Sequence, residues 1–366
     1  MTPPQTAQDT LRPTTPSTSR PGSIRARGRA TRRVLAVGTL AVGTLAGALA
    51  LAGCGSQEAL VGLHAAPTEK TASAAPLDAE EATAVATRLL TTLETPAAGN
   101  GKAATAARQA VLTGDALTLD KARTASKAAT ATPAAGLATA PRPTVVAQSQ
   151  GRAWPRAILA TTLDEKTNTQ LLHVMLSEKP DQRFRITASV PMFAGAQLPA
   201  LGESTKGTPL LDTGVKNGLA SPPKDAVAAY ANALATPTPK KTTAVKTDDP
   251  FATALRTSAA TQTQALGKLA SLRQVHEPLL GDAVTFRLAD GGAVTFGLMK
   301  RTDSVALKPA AKEIVLPPEY ARVTGKPKAT KSFSLNNLEP FVMVVPTSGA
   351  AKVIGADELL TSGTAR

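Results

Sequence analysis

The sequence has one cysteine and three histidines, and aromatic residues make up only 3% of it. A single cysteine excludes an intramolecular disulfide framework, a thiolate zinc site and an iron–sulfur cluster. Three histidines exclude a histidine-rich metal centre. With one Trp, two Tyr and seven Phe, the core must be built from Ala, Val and Leu. Catalytic signatures are missing as well. No G-x-S-x-G, H-E-x-x-H or Walker loop occurs. Thr324-Gly325-Lys326 is followed by Pro327, where a phosphate loop needs Ser or Thr. Ser221 and Lys224 fit S-x-x-K by letter, but the accompanying S-D-N and K-T-G are absent. Ser221 therefore reads as a helix cap.

What is present first is an address. Of the 366 residues, Met1–Arg33 hold seven Arg and one acid, Asp9, with no apolar period. Such a stretch cannot bury enough surface to order itself. Val34–Gly53 then runs for twenty residues without a charge. A basic region before an apolar one is the export pattern, although twenty apolar residues also suffice for a plain membrane anchor. The run ends in Leu51-Ala52-Gly53-Cys54, which resembles the lipobox of bacterial lipoproteins. That resemblance implies acylation of Cys54 and cleavage between Gly53 and Cys54. Thr31-Arg32-Arg33 also resembles a twin-arginine signal, so general secretory and twin-arginine export both stay open. The whole chain carries +14. Without residues 1–53 it has 34 basic and 26 acidic residues, a charge of +8. That excess suits an anionic membrane face or an anionic envelope polymer. Nucleic acid is not expected, since no aromatic–basic stacking platform is visible.

The expected organisation is a signal peptide over 1–53, a tether over 54–75, a first half over 76–206 and a second over 207–366. Asp78 and Glu81 form a capping-box pattern. Ala82, Val85, Ala86, Leu89 and Leu93 follow at helical spacing, and Pro96 ends the run. A second such start lies at Ser221-Pro222-Pro223, with Val227, Tyr230, Ala231 and Leu234 as its apolar face. Leu93-Glu94-Thr95-Pro96 and Leu234-Ala235-Thr236-Pro237 end the two helices alike at an offset of 141 residues, which suggests duplication. Further helices are expected over Arg108–Thr124 and Phe251–Leu272, each after a loose stretch.

Strands follow in both halves. In the first they are Thr144–Gln148, Trp154–Thr162, Leu171–Leu176 and Phe184–Val190. In the second they are Leu272–His276, Val284–Leu288, Ala293–Met299 and Val305–Leu307. Asp290-Gly291-Gly292 is a hairpin signal between two alternating runs. Strands near Glu313–Leu316, Phe341–Val345 and Lys352–Ile354 complete the chain, and residues 202–220 read as a linker.

The fold class is therefore α+β: two tandem cone-like halves, each of helices packed on a curved antiparallel sheet. This element order resembles the nuclear-transport-factor-2-like superfamily, which implies a pocket at the wide end of each sheet. Trp154-Pro155-Arg156, Gly195-Ala196-Gln197-Leu198-Pro199, Ser221-Pro222, Asp290-Gly291-Gly292 and Val344-Val345-Pro346 resemble an uncharacterised family of actinobacterial secreted lipoproteins. That family implies no activity and lends no catalytic residues.

The candidate contacts are Lys326, Lys328 and Lys331 as a basic loop, and Trp154 and Tyr230 as the scarce aromatics. The alternative for both aromatics is the sheet–helix core. His64 falls in the tether. His173 and His276 fall on strands that do not correspond between the halves, which argues against one duplicated catalytic histidine. No cofactor and no metal are expected. The expected function is a non-catalytic binding or assembly module, lipid-anchored at the outer face of the cytoplasmic membrane, with an envelope protein or anionic polymer as partner. The alternative is an envelope enzyme acting on a small metabolite. A deep pocket joining His173 or Tyr230 to a buried carboxylate would favour the enzyme.

Overall fold

A computed structural model describes residues 74–94, 102–125, 142–165 and 167–366. Gly53, Cys54, the signal stretch and the tether up to residue 73 lie outside the described residues. So does His64.

The first half opens with α1 (Ala79–Glu94), α2 (Lys102–Ala110) and α3 (Gly114–Ala125). As its sequence predicts, α1 starts after Asp78, whose Oδ1 accepts the Glu81 N–H at 2.7 Å. The one helix expected over Arg108–Thr124 is two. The chain leaves helical geometry because its backbone bonds go elsewhere: Thr113 N–H donates to the Ile186 carbonyl and Ile186 N–H to Val111. Gly114, at φ +50°, then restarts the chain as α3.

Four strands follow, β1 (Thr144–Gln148), β2 (Arg156–Asp164), β3 (Thr169–Ser177) and β4 (Arg185–Pro191), in an antiparallel sheet of order β1-β2-β3-β4. The second half has α4 (Pro223–Leu234), α5 (Pro250–Leu266), β5 (Ala270–Arg287), β6 (Ala293–Leu307), β7 (Ile314–Val315), α6 (Pro318–Thr324), β8 (Lys328–Ala329), β9 (Ser332–Val345), β10 (Lys352–Ala356) and β11 (Leu359–Ala365). Its main sheet has the order β10-β9-β6-β5, with β11 also on β9, and β7 and β8 form a separate ribbon. The molecule is thus α+β with antiparallel sheets. Ser221 does not cap α4: Pro222 stands at the N-cap, without a side-chain hydrogen bond.

The four short strands expected between Leu272 and Leu307 are two long ones. On β5 the expected runs join through an irregular pairing between Leu279 and Val284, and on β6 they join through Arg301 and Asp303. Both face inward on β6 and are buried, so two charged residues interrupt an apolar alternation that the backbone continues. Upstream of Phe341, β9 is hidden in the same way, by inward Asn337 and Glu339. The strand β11 has little apolar residue pattern to betray it.

Side-chain alternation gives each sheet two buried faces. Leu159, Leu172 and Val174 of the first sheet meet Phe286, Phe296 and Val342 of the second in one shared core. There Phe286 and Phe296 stack edge to face, with centroids 6.4 Å apart. The opposite face of the first sheet, with Ile158, Met175 and Ile186, packs under Ala82, Ala86 and Leu89 of α1. The opposite face of the second, with Met299, Phe341 and Met343, packs under Val227 and Tyr230 of α4 and Ala252 of α5. The order of layers is helix, sheet, sheet, helix.

The expected linker is without helix or strand, as its turn-rich sequence implies, but it is not free. Within it Leu210 bridges Phe286 and Thr208 bridges Ser149, and just before it Leu201 bridges Leu288. The segment stitches one sheet to the other. The described residues belong to one compact unit, Ala65–Arg366.

Candidate functional site

The basic loop divides. Lys326, Lys328 and Lys331 are all exposed. Lys328 lies on β8, where its Nζ pairs with Glu313 Oε1 at 2.6 Å. The Lys331 backbone N–H donates to the C-terminal Arg366 carbonyl.

The two aromatics separate as well. Trp154 is 37% exposed. The Arg156 guanidinium lies 3.9 Å from its ring centroid, a cation–π contact on the surface rather than a core position. Tyr230 is fully buried on α4. Its hydroxyl lies 3.0 Å from both oxygens of Asp249 and donates to that carboxylate. Asp249 also caps α5, accepting the Ala252 N–H at 2.9 Å. Burial first, and then the Asp249 charge, push the Tyr230 phenol well above its ordinary value. Burial also raises the Asp249 carboxyl, against hydrogen bonds that lower it.

Asp249 sits at the edge of a cleft of about 430 Å³. One wall is the Phe193–Gln197 turn, pinned by the Phe193 N–H to the Ile354 carbonyl. The other is the segment leading into α5, pinned by the Lys246 N–H to the Ala351 carbonyl. One wall thus hangs on β10 and the other on the residue just before it, and Lys352–Ile354 form the floor. Tyr230 is beneath the surface and joins this cleft only through Asp249.

His173 is buried on the helix-facing side of β3. Its Nε2 lies 2.8 Å from Thr162 Oγ1 and its Nδ1 2.9 Å from Ser189 Oγ. No carboxylate orients it. Burial lowers its pKa to about 4, so the ring is neutral at pH 7. A general base works best with a pKa near the operating pH. This imidazole is a hydrogen-bonded strand residue.

The largest polar cluster was not legible in the sequence. His276 Nδ1 lies 2.8 Å from Glu339 Oε2, and neither side chain has exposed surface. Arg301 Nη1 donates to Glu339 Oε1 at 3.0 Å and to Glu358 Oε2 at 2.7 Å. Arg301 Nε and Asn337 Nδ2 both donate to Asp303 Oδ2 at 3.2 Å. The sequence pairs His276 with adjacent Glu277, but strand alternation sends Glu277 to the other face. The available signal was charge at inward positions of β6 and β9. The His276–Glu339 pair is enclosed and Glu358 stands at the surface, so the cluster ties β5, β6 and β9 together with its inner members shut away from solvent.

Among the described residues no group of three or more His, Cys, Asp or Glu could hold a metal ion. Among them too, no helix is long and apolar enough to cross a membrane. Comparison with family models, curated proteins and solved structures finds no match to this chain.

Proposed function

We propose that the protein is a lipid-anchored extracytoplasmic module of the cell envelope that binds a ligand or partner without turning it over. The observation carrying this reading is the lone cysteine, Cys54, which closes the uncharged run Val34–Gly53 behind an arginine-rich start. Acylation of its thiol and cleavage before it would leave lipid at the mature N-terminus. Each buried CH₂ contributes about 0.8 kcal/mol, so two or more chains hold stably. Labelling cells with a fatty-acid probe tests the anchor. The wild-type chain is expected to label and Cys54→Ala to lose the label, and equal labelling of both would reject it.

The binding reading draws support from where charge is spent. His276, Arg301, Asp303 and Glu339 are committed to one another inside the fold, and His173 to two hydroxyls. The same reading includes a tandem origin for the two halves. Its support is topological: helices precede a four-strand meander twice, with orders β1-β2-β3-β4 and β5-β6-β9-β10.

One observation favours the enzyme alternative. Tyr230 donates to a carboxylate that lines a cleft, and burial raises that carboxyl, as an acid–base group requires. The phenol cannot serve as a base at neutral pH, and Asp249 already caps α5, so the pair reads as an anchor for the helix. Replacement of Asp249 by Asn would keep an acceptor for Ala252. Such a variant is expected to retain ligand binding, and a turnover abolished by it would replace the binding reading with the catalytic one.

A further inference from the structure

A second cleft, also of about 430 Å³, opens between α1, the end of α2 and the chain entering β4. Its apolar lining is Leu89, Val111 and Phe184, which belong to or pack on the core under α1. Its charged lining is Arg88, Arg183 and Arg185, against a single acid, Asp181. All three arginines are exposed, and among the described residues none has an ion-pair partner. The arrangement follows from the sequence. Just before and at the start of β4, Phe184 packs against the core under α1 while Arg183 and Arg185 stay exposed beside it, and all three line the cleft. Arg88 comes from the exposed side of α1, one residue before buried Leu89. Among the described residues the only arginines that form ion pairs are Arg108, with Asp120 at 2.6 Å, and Arg301, with three carboxylates, so what marks the cleft is three arginines gathered beside apolar surface.

We propose that this cleft is a binding site for a small amphiphilic anion, with its apolar body on Leu89, Val111 and Phe184 and its carboxylate or phosphate among the three arginines. The volume lies within the roughly 300–1,000 Å³ usual for small-ligand sites. Guanidinium groups match the planar, forked geometry of both anions better than lysine does. An excess of positive charge beside apolar surface selects a ligand that carries both features, since a purely polar anion leaves the apolar lining wet. The proposal deepens the binding-module reading and rests on it, but binding is read without reference to acylation at Cys54. Failure here therefore leaves the anchor test standing.

The test uses the full chain in nanodiscs of zwitterionic lipid, with empty nanodiscs as the blank. The probes are hexanoate, hexyl phosphate and hexanol, followed by calorimetry at low salt. One or both anions are expected to bind saturably at one site, at least about tenfold tighter than hexanol. Hexanoate alone assigns the head group as carboxylate, hexyl phosphate alone as phosphate, and both as anionic charge. The Arg183→Gln, Arg185→Gln double variant is expected to weaken the anion about tenfold with an unchanged unfolding midpoint. Replacing Lys326, Lys328 and Lys331 with Ala is expected to change nothing at this site. Equal affinity for hexanol, no saturable binding, or full affinity in the folded double variant would each overturn the proposal.

Discussion

At the scale of single residues, two buried groups pull the pH dependence of stability in opposite directions. Burial, and the nearby Asp282 charge, raise Asp115 from 3.8 to about 7. Between those values the folded chain binds more protons than the unfolded one, so stability falls as pH rises. His173 does the reverse. Its folded value of about 4 lies below the ordinary 6.5, so stability falls as pH drops through that interval. At about 1.4 kcal/mol per pH unit for each group, the two slopes nearly cancel between roughly pH 4 and 6.5. Asp115→Asn should remove one of them. The expected result is a gain of ~2–4 kcal/mol at pH 8, none at pH 4, and a visible acid limb between, read from urea unfolding at each pH. A gain of equal size at all pH values would mean that Asp115 acts through packing instead. Tyr230→Phe tests a different contact. Loss of the hydroxyl leaves Asp249 with its Ala252 bond, and a cost of about 1–2 kcal/mol is expected from the same measurement.

At the scale of elements, the decisive features are one ion cluster and one glycine. The cluster crosses β5, β6 and β9. Glu339→Gln removes the charge between His276 and Arg301 and leaves Arg301 enclosed with less compensation. A loss of ~3–5 kcal/mol in unfolding free energy is expected from urea unfolding, because an uncompensated buried charge is costly. A loss below 1 kcal/mol would show that water reaches the cluster. Gly114 marks the turn from α2 to α3. A Cβ there would stand 2.6 Å from Thr187 Oγ1, in a backbone conformation at φ +50° that L side chains rarely adopt. Gly114→Ala is expected to cost roughly 1–3 kcal/mol. Hydrogen exchange should speed up first in α3.

At the scale of the whole molecule, the two sheets share one core, and this bears on how the halves unfold. Phe286 comes from the second half but packs in a cluster with Leu159 and Leu172 of the first. Phe286→Ala is expected to cost about 3–5 kcal/mol. It should raise amide exchange in β2 and β3 as well as in β5, and the chain should still unfold in a single transition. Two separated transitions, with exchange changed only in β5 and β6, would show that each half holds its own fold. The linker takes part in the same core. Leu201 and Leu210 pack against it, so the segment closes its rim instead of merely spanning a distance.

Local signals in the sequence were sufficient for much of this. Asp78 and Glu81 marked the start of α1, because a cap needs only side-chain chemistry three residues away. The alternation over Thr144–Gln148 matches β1 residue for residue, and Asp290-Gly291-Gly292 forms the turn its composition predicts, closed by the Gly292 N–H on Asp290 Oδ1. The address at Cys54 is wholly a matter of sequence, since it needs an apolar run and one cysteine. Other features depended on contacts far along the chain. Val111–Thr113 leaves the helix because Ile186 offers its backbone. Arg301 sits inside a strand because Asp303 beside it and Glu339, 38 positions later, compensate its charge. The arginine-lined cleft joins Arg88 to Arg183 and Arg185 across the layer between α1 and β4. Short-range bonds and periodicity are written locally, whereas compensation of a buried charge and closure of a cleft require partners that only the folded chain brings together.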